Sequence, residues 1–111
     1  MENYSMRIIP RIFLRYYELI EDEMISQDEK QLIKLAFTLL NKRIEKNISQ
    51  DEMAERTGLS KSVISRMETF SSIPSSLTLT KYASELGMEL VLVDRELYKM
   101  WNTKNKSIME K

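Results

Sequence analysis

Apolar side chains recur at helical spacing in the first part of the chain. In the stretch IIPRIFLRYYELIEDEMI, large apolar residues return every three or four positions, which is the period of one face of an α-helix. This pattern predicts an amphipathic helix over about 10–25, with Pro10 in its first turn, where proline is well tolerated. A second helix is expected over about 27–46. Ser26 precedes this helix and Glu29 lies in its first turn. Together they form a capping box, which satisfies backbone N–H groups that a helix start leaves free.

The segment SQDEMAERTGLSKSVISRME, residues 49–68, predicts two short helices separated by a turn. Ser49 and Glu52 form a second capping box at the start of a helix over about 50–56. Gly58 ends that helix, because glycine readily adopts the left-handed conformation that commonly follows a helix. A tight pair of helices is therefore expected here.

Caps and turn residues divide the remainder of the chain in the same way. Ser60 caps a helix over about 61–69, and the polar stretch SSIPSS forms a loop. A further helix is expected over about 77–86, ended by Gly87. The apolar, β-branched run ELVLV then predicts a short strand over about 89–93. The predicted fold class is all-α, with an extra N-terminal helix and one C-terminal strand.

The residue types present exclude most catalytic chemistry. The chain has 111 residues and contains no cysteine and no histidine. Disulfides, Cys/His zinc sites, thiol nucleophiles and histidine-based acid/base catalysis are therefore excluded. We expect a protein that is not an enzyme and that uses no cofactor and no metal. No apolar run approaches the length of a membrane span or of a secretory signal, so we expect a cytoplasmic protein.

Charge is unevenly distributed, although the formal net charge is zero. Residues 1–29 carry three basic and seven acidic side chains, whereas residues 95–111 carry five basic and two acidic ones. This asymmetry predicts three regions. They are an acidic amphipathic arm over residues 1–28, a central domain over 29–93 that ends in the strand, and a basic tail over 94–111 with a frayed end.

The two central helices meet the packing requirements of a helix-turn-helix motif. Ala54 is small enough to let the helices approach, and Gly58 suits the turn between them. Ile64 and Met67 are spaced to be buried on one side of the second helix. The opposite side then presents Lys61, Ser62, Ser65 and Arg66.

Residues 30–93 resemble the lambda-repressor-like, XRE-type family of helix-turn-helix proteins. The resemblance is carried by the helix around LTLTKYASELG and by Gln50, Ala54, Gly58, Leu59, Ile64, Met67, Glu68 and Pro74. It implies a DNA-binding regulator in which Gln50 contacts a phosphate and exposed side chains of the second helix read base edges. The residues at those base-reading positions are Lys61, Ser62, Ser65 and Arg66. The family pattern also implies a structural ion pair between Arg43 and Glu68.

The chemistry of these side chains suits DNA. Arg66 can donate two hydrogen bonds to O6 and N7 of guanine, and Lys61 can contact a base or a phosphate. Helix N-termini direct backbone N–H groups at phosphates, so the helices beginning at Gln50 and near Leu77 are expected to bind the DNA backbone. The side chains expected to assist there are Ser49, Gln50, Ser60, Ser75, Ser76 and Lys81. Three of these serines are also expected to cap helices: Ser49, Ser60 and Ser76.

The loop after the second helix departs from the family pattern. Many members carry Asn-Gly and then a cation there, whereas this chain has Thr69-Phe70-Ser71-Ser72. Fewer phosphates would be neutralised, so we expect weaker non-specific DNA binding and a shallower salt dependence. Phe70 is expected either in the core or exposed for a partner.

The segment GMELVLVD resembles a feature of the antitoxin branch of this family, the HigA-type and HipB-type proteins. That resemblance implies a strand that pairs across a two-fold axis, and an apolar strand without a partner is unfavourable in a monomer. A homodimer would present two recognition helices about one turn of DNA apart, which matches a palindromic operator.

The acidic N-terminal arm has two interpretations. It can cover a basic partner such as a small toxin protein, or it can pack on the domain itself or on a second subunit. Its aromatic residues are Tyr4, Phe13, Tyr16 and Tyr17. The basic tail, through Tyr98 and Trp101, is another candidate for partner contact.

The sequence therefore predicts a dimeric, sequence-specific repressor that binds double-stranded DNA. More narrowly, it predicts the antitoxin and autoregulator of a type II toxin–antitoxin pair. Two alternatives remain open: a stand-alone phage- or mobile-element-type regulator, and a protein-interaction module with degenerate DNA binding. The neutral charge and the missing loop cations favour the second alternative.

Overall fold

The computed structural model describes the backbone of residues 4–109 and the side chains of residues 11–103. This part of the chain contains the helices α1 Tyr4–Glu21, α2 Gln27–Glu45, α3 Gln50–Thr57, α4 Lys61–Glu68, α5 Ser76–Glu85 and α6 Arg95–Met109. The prediction of a helical protein is confirmed, and α2 to α5 match the predicted segments to within one residue at each end. None of the described helices is both long enough and apolar enough to cross a membrane.

Serine side chains begin four of these helices. In each of them the backbone N–H of the third helical residue donates over 3.1 Å to the hydroxyl of the preceding serine, which satisfies a group that a helix start leaves free. The caps of α2, α3 and α4 are Ser26, Ser49 and Ser60. The prediction that Ser76 caps α5 is wrong. Ser75 has the extended backbone that a cap requires, and Ser76 is the first helical residue.

Besides α3, which ends at Gly58, three helices end at a residue in the left-handed conformation. After α2, α4 and α5 these residues are Asn47 with φ 57°, Phe70 with φ 60° and Gly87 with φ 72°. In all three cases the N–H of the next residue donates back to a carbonyl in the last turn of the helix, as in a Schellman motif. Glycine adopts this conformation freely, whereas a side chain as large as that of Phe70 costs about 1 kcal/mol there.

The hydrophobic core lies between α2, α3, α4 and α5. Removing a large apolar side chain from water contributes about 1.5–3 kcal/mol, so these helices depend on one another for their stability. The buried residues of the core are Ala36, Leu39, Leu40, Ile44, Ile48, Met53, Ile64, Met67, Leu79, Tyr82, Ala83 and Leu86.

Helix α1 begins at Tyr4, six residues before the predicted start. Pro10 therefore lies inside the helix, and its predicted place in the first turn is wrong. Proline inside a helix removes one backbone hydrogen bond, and the helical period continues on both sides of it. The side chain of Tyr4, one of the predicted aromatic residues of the arm, lies outside the described residues.

An aromatic cluster attaches α1 to the rest of the domain. Tyr16 stacks on Phe37 of α2, with ring centroids 4.0 Å apart and an angle of 7° between the rings, and Phe13 meets Phe37 edge-on at 5.9 Å. Phe70 lies 6.1 Å from the ring of Tyr16 and 6.3 Å from that of Phe37. One face of the arm therefore packs on the domain itself, and Phe70 is half-buried by this cluster.

The predicted strand over residues 89–93 does not form. Residues 88–94 have no regular secondary structure, because the described residues offer this segment no neighbouring strand with which to exchange backbone hydrogen bonds. Every described residue from 89 to 103 is exposed.

Residues 95–109, in the predicted basic tail, form α6. The last two residues of the tail, whose end is expected to be frayed, lie outside the described residues. Asp94 begins this helix. Its Oδ1 accepts hydrogen bonds from the N–H groups of Glu96 and Leu97 over 3.0 and 3.2 Å, which is the role of an N-cap. Helical spacing places Leu97, Tyr98 and Trp101 on one side of α6.

Candidate nucleic-acid interface

Helices α3 and α4 are joined by a tight turn at Gly58. This residue has φ 75°, and its N–H donates to the carbonyl of Ala54 over 2.9 Å. Thr57 supports the turn, because its hydroxyl donates to the carbonyl of Met53 and accepts the N–H of Leu59. Ala54 and Leu59 are half-buried against the core. The turn thus fixes the direction of α4 relative to α3.

Helix α4 buries one side and exposes the other. Ile64, Met67 and Glu68 are buried. The opposite side carries the four residues that the sequence predicts to read bases. Lys61, Ser62 and Arg66 are exposed, and Ser65 is half-buried. The fold therefore presents these four side chains together on the outer side of one short helix.

A buried ion pair fixes the end of α4. Arg43 of α2 and Glu68, the last residue of α4, are 2% and 1% exposed. Nε and Nη2 of Arg43 donate to the two carboxylate oxygens of Glu68 over 2.7 and 2.8 Å, and Nη1 donates to the carbonyl of Ile48 over 2.6 Å. This two-point geometry is stronger and more directional than a single contact between charges.

Glu68 also accepts hydrogen bonds from the other two core helices. The hydroxyl of Tyr82 in α5 donates to Oε2 over 2.5 Å, and the amide nitrogen of Gln50 in α3 donates to Oε1 over 2.9 Å. One carboxylate therefore joins α2, α3, α4 and α5. Sequence reasoning missed Tyr82. The available signal was a tyrosine on the inward side of α5, because a buried tyrosine hydroxyl needs a partner.

This network shifts the pKa values of its members. Burial raises the pKa of the Tyr82 hydroxyl far above its usual range, and the charge and hydrogen bond of Glu68 raise it further. Burial by itself would lower the pKa of Arg43, but the hydrogen bond and the charge of Glu68 outweigh burial and raise it. Tyr82 is therefore neutral and Arg43 charged in the folded protein under ordinary conditions.

The raised pKa of Tyr82 predicts a loss of stability in alkali. In the unfolded chain a tyrosine ionises near pH 10, whereas folded Tyr82 stays protonated. Its contribution to stability is therefore fully present below about pH 10 and is lost as the pH rises above that value. Tyr82→Phe removes this dependence, and it costs about 1–2 kcal/mol at neutral pH because a buried hydrogen bond to a charged group is lost.

Urea unfolding at a series of pH values measures this difference. The unfolding free energies of the original chain and of Tyr82→Phe are expected to converge as the pH rises from about 10 to 11. Tyr98→Phe is the control, because Tyr98 is exposed. A constant gap between the original chain and Tyr82→Phe over this range would contradict the role of Tyr82.

The residues predicted to contact phosphates lie at three helix starts and along α5. Ser49 and Ser60 are exposed caps of α3 and α4. Gln50 is half-buried, and one hydrogen of its side-chain amide is bonded to Glu68. Ser76 and Lys81 are exposed on α5. Within the described part of the chain, no hydrogen bond or ion pair joins these five side chains to one another.

Carboxylates lie close to the predicted base-reading residues. Nζ of Lys61 is 3.0 Å from Oδ1 of Asp51 in the first turn of α3, and both side chains are exposed. Glu52 pairs with Arg56 over 3.3 Å. Exposed pairs of this kind contribute at most about 1 kcal/mol, so a phosphate can displace Asp51. In the described residues, no group of three or more acidic side chains is placed to hold a metal ion.

Asp51→Asn is expected to increase affinity for DNA of any sequence. The change releases Lys61 and removes a negative charge near the expected path of the phosphates, and the gain should be about twofold to fivefold, the range of an exposed ion pair. The dependence of the logarithm of affinity on salt should steepen as Lys61 gains a phosphate. Fluorescence anisotropy titrations at several salt concentrations measure both quantities.

Glu45→Gln is the matched control, because Glu45 forms a similar exposed pair with Lys42 on α2. It should leave DNA binding unchanged. Equal effects of Asp51→Asn and Glu45→Gln on DNA affinity would show that the gain comes from the change in net charge and not from the release of Lys61.

Comparison with known proteins agrees with this geometry. Residues 39–93 match the family described as Helix-turn-helix, and the matched region contains α3, α4 and α5 with both members of the buried ion pair. No curated protein and no solved structure gives a significant match. This match supports the assignment of residues 39–93 to the XRE-type helix-turn-helix family of DNA-binding transcription regulators, which are generally not enzymes.

Proposed function

We propose that this protein is a cytoplasmic, sequence-specific repressor that binds double-stranded DNA as a homodimer. The observation that carries the proposal is the exposed polar side of α4, held in place by the buried pair of Arg43 and Glu68. In this proposal the protein represses by occupying an operator that overlaps a promoter. Its specificity comes from α4, because an α-helix fits the major groove, where each base pair presents a distinct pattern of donors and acceptors.

The side chains of α4 have distinct roles in this proposal. Arg66 reads guanine through its terminal nitrogens. Within the described residues its guanidinium makes one long hydrogen bond, from Nε to the carbonyl of Ser62 over 3.4 Å, so the terminal nitrogens remain available. Lys61 reads a second base or contacts a phosphate after leaving Asp51. The hydroxyls of Ser62 and Ser65 pair with several bases and therefore specify weakly.

The phosphate contacts in this proposal come from helix starts. The first residues of α3 and α5 direct backbone N–H groups outward, and the positive end of each helix dipole favours an anion there. The side chains that add to these contacts are Ser49, Gln50, Ser60, Ser76 and Lys81. One hydrogen of the Gln50 side-chain amide is donated to Glu68. In this proposal the second hydrogen is donated to a phosphate.

Selection from a library of random DNA duplexes tests this function. The purified chain should enrich one palindromic sequence whose half-sites are separated by about 10 base pairs, one turn of DNA. Enrichment of a single half-site would support base reading but contradict the dimer. Binding without enrichment of any sequence would contradict base reading by α4. If the chain bound no DNA even at low salt, the helix-turn-helix would instead serve protein contacts.

The dimer interface in this proposal includes residues 89–93, which become a strand only when a second copy pairs with them. All five residues are exposed, and four of them are apolar. Val91→Pro removes a backbone N–H and should weaken dimerisation about tenfold or more. Val91→Thr is the control, since it keeps both the N–H and the β-branch. Sedimentation velocity over a range of concentrations measures the change, and equal dissociation constants would exclude this segment from the interface.

A narrower candidate is the antitoxin of a type II toxin–antitoxin pair. The favouring observation is the exposed acidic run at the end of α1, Glu21-Asp22-Glu23, which suits a basic partner protein. Full-length tagged chain should co-purify with a small basic protein in near-equal amount. Charge reversal in the acidic run should abolish this recovery. Recovery of promoter DNA without such a protein would leave a stand-alone regulator.

A further inference from the structure

A cavity of about 160 Å³ lies between the turn that joins α1 to α2 and the loop that joins α4 to α5. Most of the side chains in its wall are apolar, among them Leu19, Ile25, Leu32, Ala36, Met67 and Phe70. An apolar protein cavity of about 150 Å³ binds benzene. This cavity therefore has room for a hydrocarbon body of about six carbon atoms.

Glu29 gives the cavity a charged side. Within the described part of the chain it is the only charged residue that lines the cavity, and its carboxylate forms no ion pair there. It lies in the first turn of α2, and helical spacing places it on the same side of the helix as Leu32 and Ala36. Lys30 and Lys34 are turned about 100° and 140° away from it around the helix.

The surroundings of Glu29 are also negatively charged. Residues 18–29, which include the turn that forms one wall of the cavity, carry six acidic side chains and no basic one. Carboxylates of one sign around an opening attract cations to it and repel anions. Ser71 and Ser72 line the cavity from the α4–α5 loop, and their hydroxyls can accept hydrogen bonds from a cation.

We infer that this cavity binds a small organic cation, a primary amine on a hydrocarbon body of about six carbon atoms. The body lies against Leu32, Met67 and Phe70. The ammonium group donates to the carboxylate of Glu29 and to a serine hydroxyl of the loop. Such a group has three N–H donors and no acceptor, which suits an opening lined by a carboxylate and hydroxyls.

This inference goes beyond the proposed DNA binding and can be tested without DNA. None of the residues predicted to contact bases or phosphates lines the cavity. Met67 and Phe70 nevertheless lie at the end of α4, so the site adjoins the inner side of the helix that we propose to read bases. Failure of the amine to bind would leave the proposed repressor intact, and failure of DNA binding would leave the amine site intact.

Methyl NMR of the full chain tests the inference, with n-hexylamine at neutral pH as the probe. Labelled methionine methyl groups separate Met67, in the cavity wall, from Met53, which is buried in the core and does not line the cavity. The signal of Met67 should shift and saturate, with a dissociation constant of about 1 mM for a ligand of this size, while that of Met53 stays in place. The absence of a saturating shift at Met67, or equal shifts at both residues, would overturn the inference.

Two further probes share the same hydrocarbon chain and differ only in the head group. We expect n-hexylamine to bind about fivefold more tightly than n-hexanol, the range of one exposed ion pair. The anion n-hexanoate should bind most weakly, because the carboxylates around the opening repel it. Equal affinities of n-hexylamine and n-hexanol would show that the cavity takes apolar molecules without selecting a cation, and would overturn the ligand class.

Glu29→Gln is expected to weaken binding of n-hexylamine about fivefold and to leave binding of n-hexanol unchanged. Asp28→Asn is the matched control. Asp28 is exposed in the same turn of α2 and does not line the cavity, so its change removes the same charge without touching the site. Equal losses of n-hexylamine affinity in the two variants would show general attraction to a negative surface and would overturn the contact with Glu29.

Discussion

Arg43→Met is expected to destabilise the domain by about 3–5 kcal/mol, the cost of leaving one partner of a buried ion pair without the other. Methionine replaces only the aliphatic part of the arginine side chain, so the space of the buried guanidinium is left unfilled and adds to the cost. The carboxylate of Glu68 would remain buried with only Tyr82 and Gln50 as donors. Because domains of this size have total stabilities of about 5–15 kcal/mol, the loss is a large share of the whole.

Urea unfolding followed by circular dichroism measures this loss of unfolding free energy. Two further variants serve as comparisons. Arg56→Met breaks the exposed pair with Glu52 and should cost less than about 0.5 kcal/mol. Arg43→Lys keeps the charge but loses the fork that reaches both oxygens of Glu68 and the carbonyl of Ile48, so its cost should be intermediate. Similar costs for Arg43→Met and Arg56→Met would show that the buried pair does not hold the four helices together.

Helix starts and ends could be predicted because they are set by neighbouring residues. A serine just before a helix satisfies one N–H of that helix start wherever the helix lies, and the hydrogen bonds of Ser26 and Ser49 confirm this half of the predicted capping boxes. Ser75 and Ser76 show the limit of this reasoning. Two adjacent serines have the same chemistry, and only the backbone conformation decides which of them is the cap.

Features that depend on distant residues were harder to predict. Composition predicts a strand over 89–93, but β-structure needs a partner strand, and the described part of the chain contains none. Tyr82 and Glu68 are fourteen positions apart, and no local pattern reveals such a contact. The sequence allows Phe70 either in the core or exposed for a partner, and the aromatic cluster with Tyr16 and Phe37 decides between the two.

Arg66→Ala is expected to reduce affinity for the operator by roughly 5- to 150-fold, which corresponds to the loss of one two-point arginine–guanine contact worth about 1–3 kcal/mol. Affinity for random duplexes should fall much less. Arg66 is exposed at the end of α4 and is not part of the buried network, so the variant should fold as before. Fluorescence anisotropy titrations at one salt concentration, with the selected operator and with a random duplex, give both affinities.

Lys81→Ala provides the comparison that separates base reading from general attraction. Lys81 is exposed on α5, where we propose a phosphate contact. Its loss should weaken operator and random DNA equally and reduce the salt slope by about 0.9, the value for one phosphate on B-DNA. Arg66→Ala should instead lower the ratio of operator to random affinity. If it weakens both duplexes equally, as Lys81→Ala should, then Arg66 contacts the DNA backbone and sequence reading must come from other residues of α4.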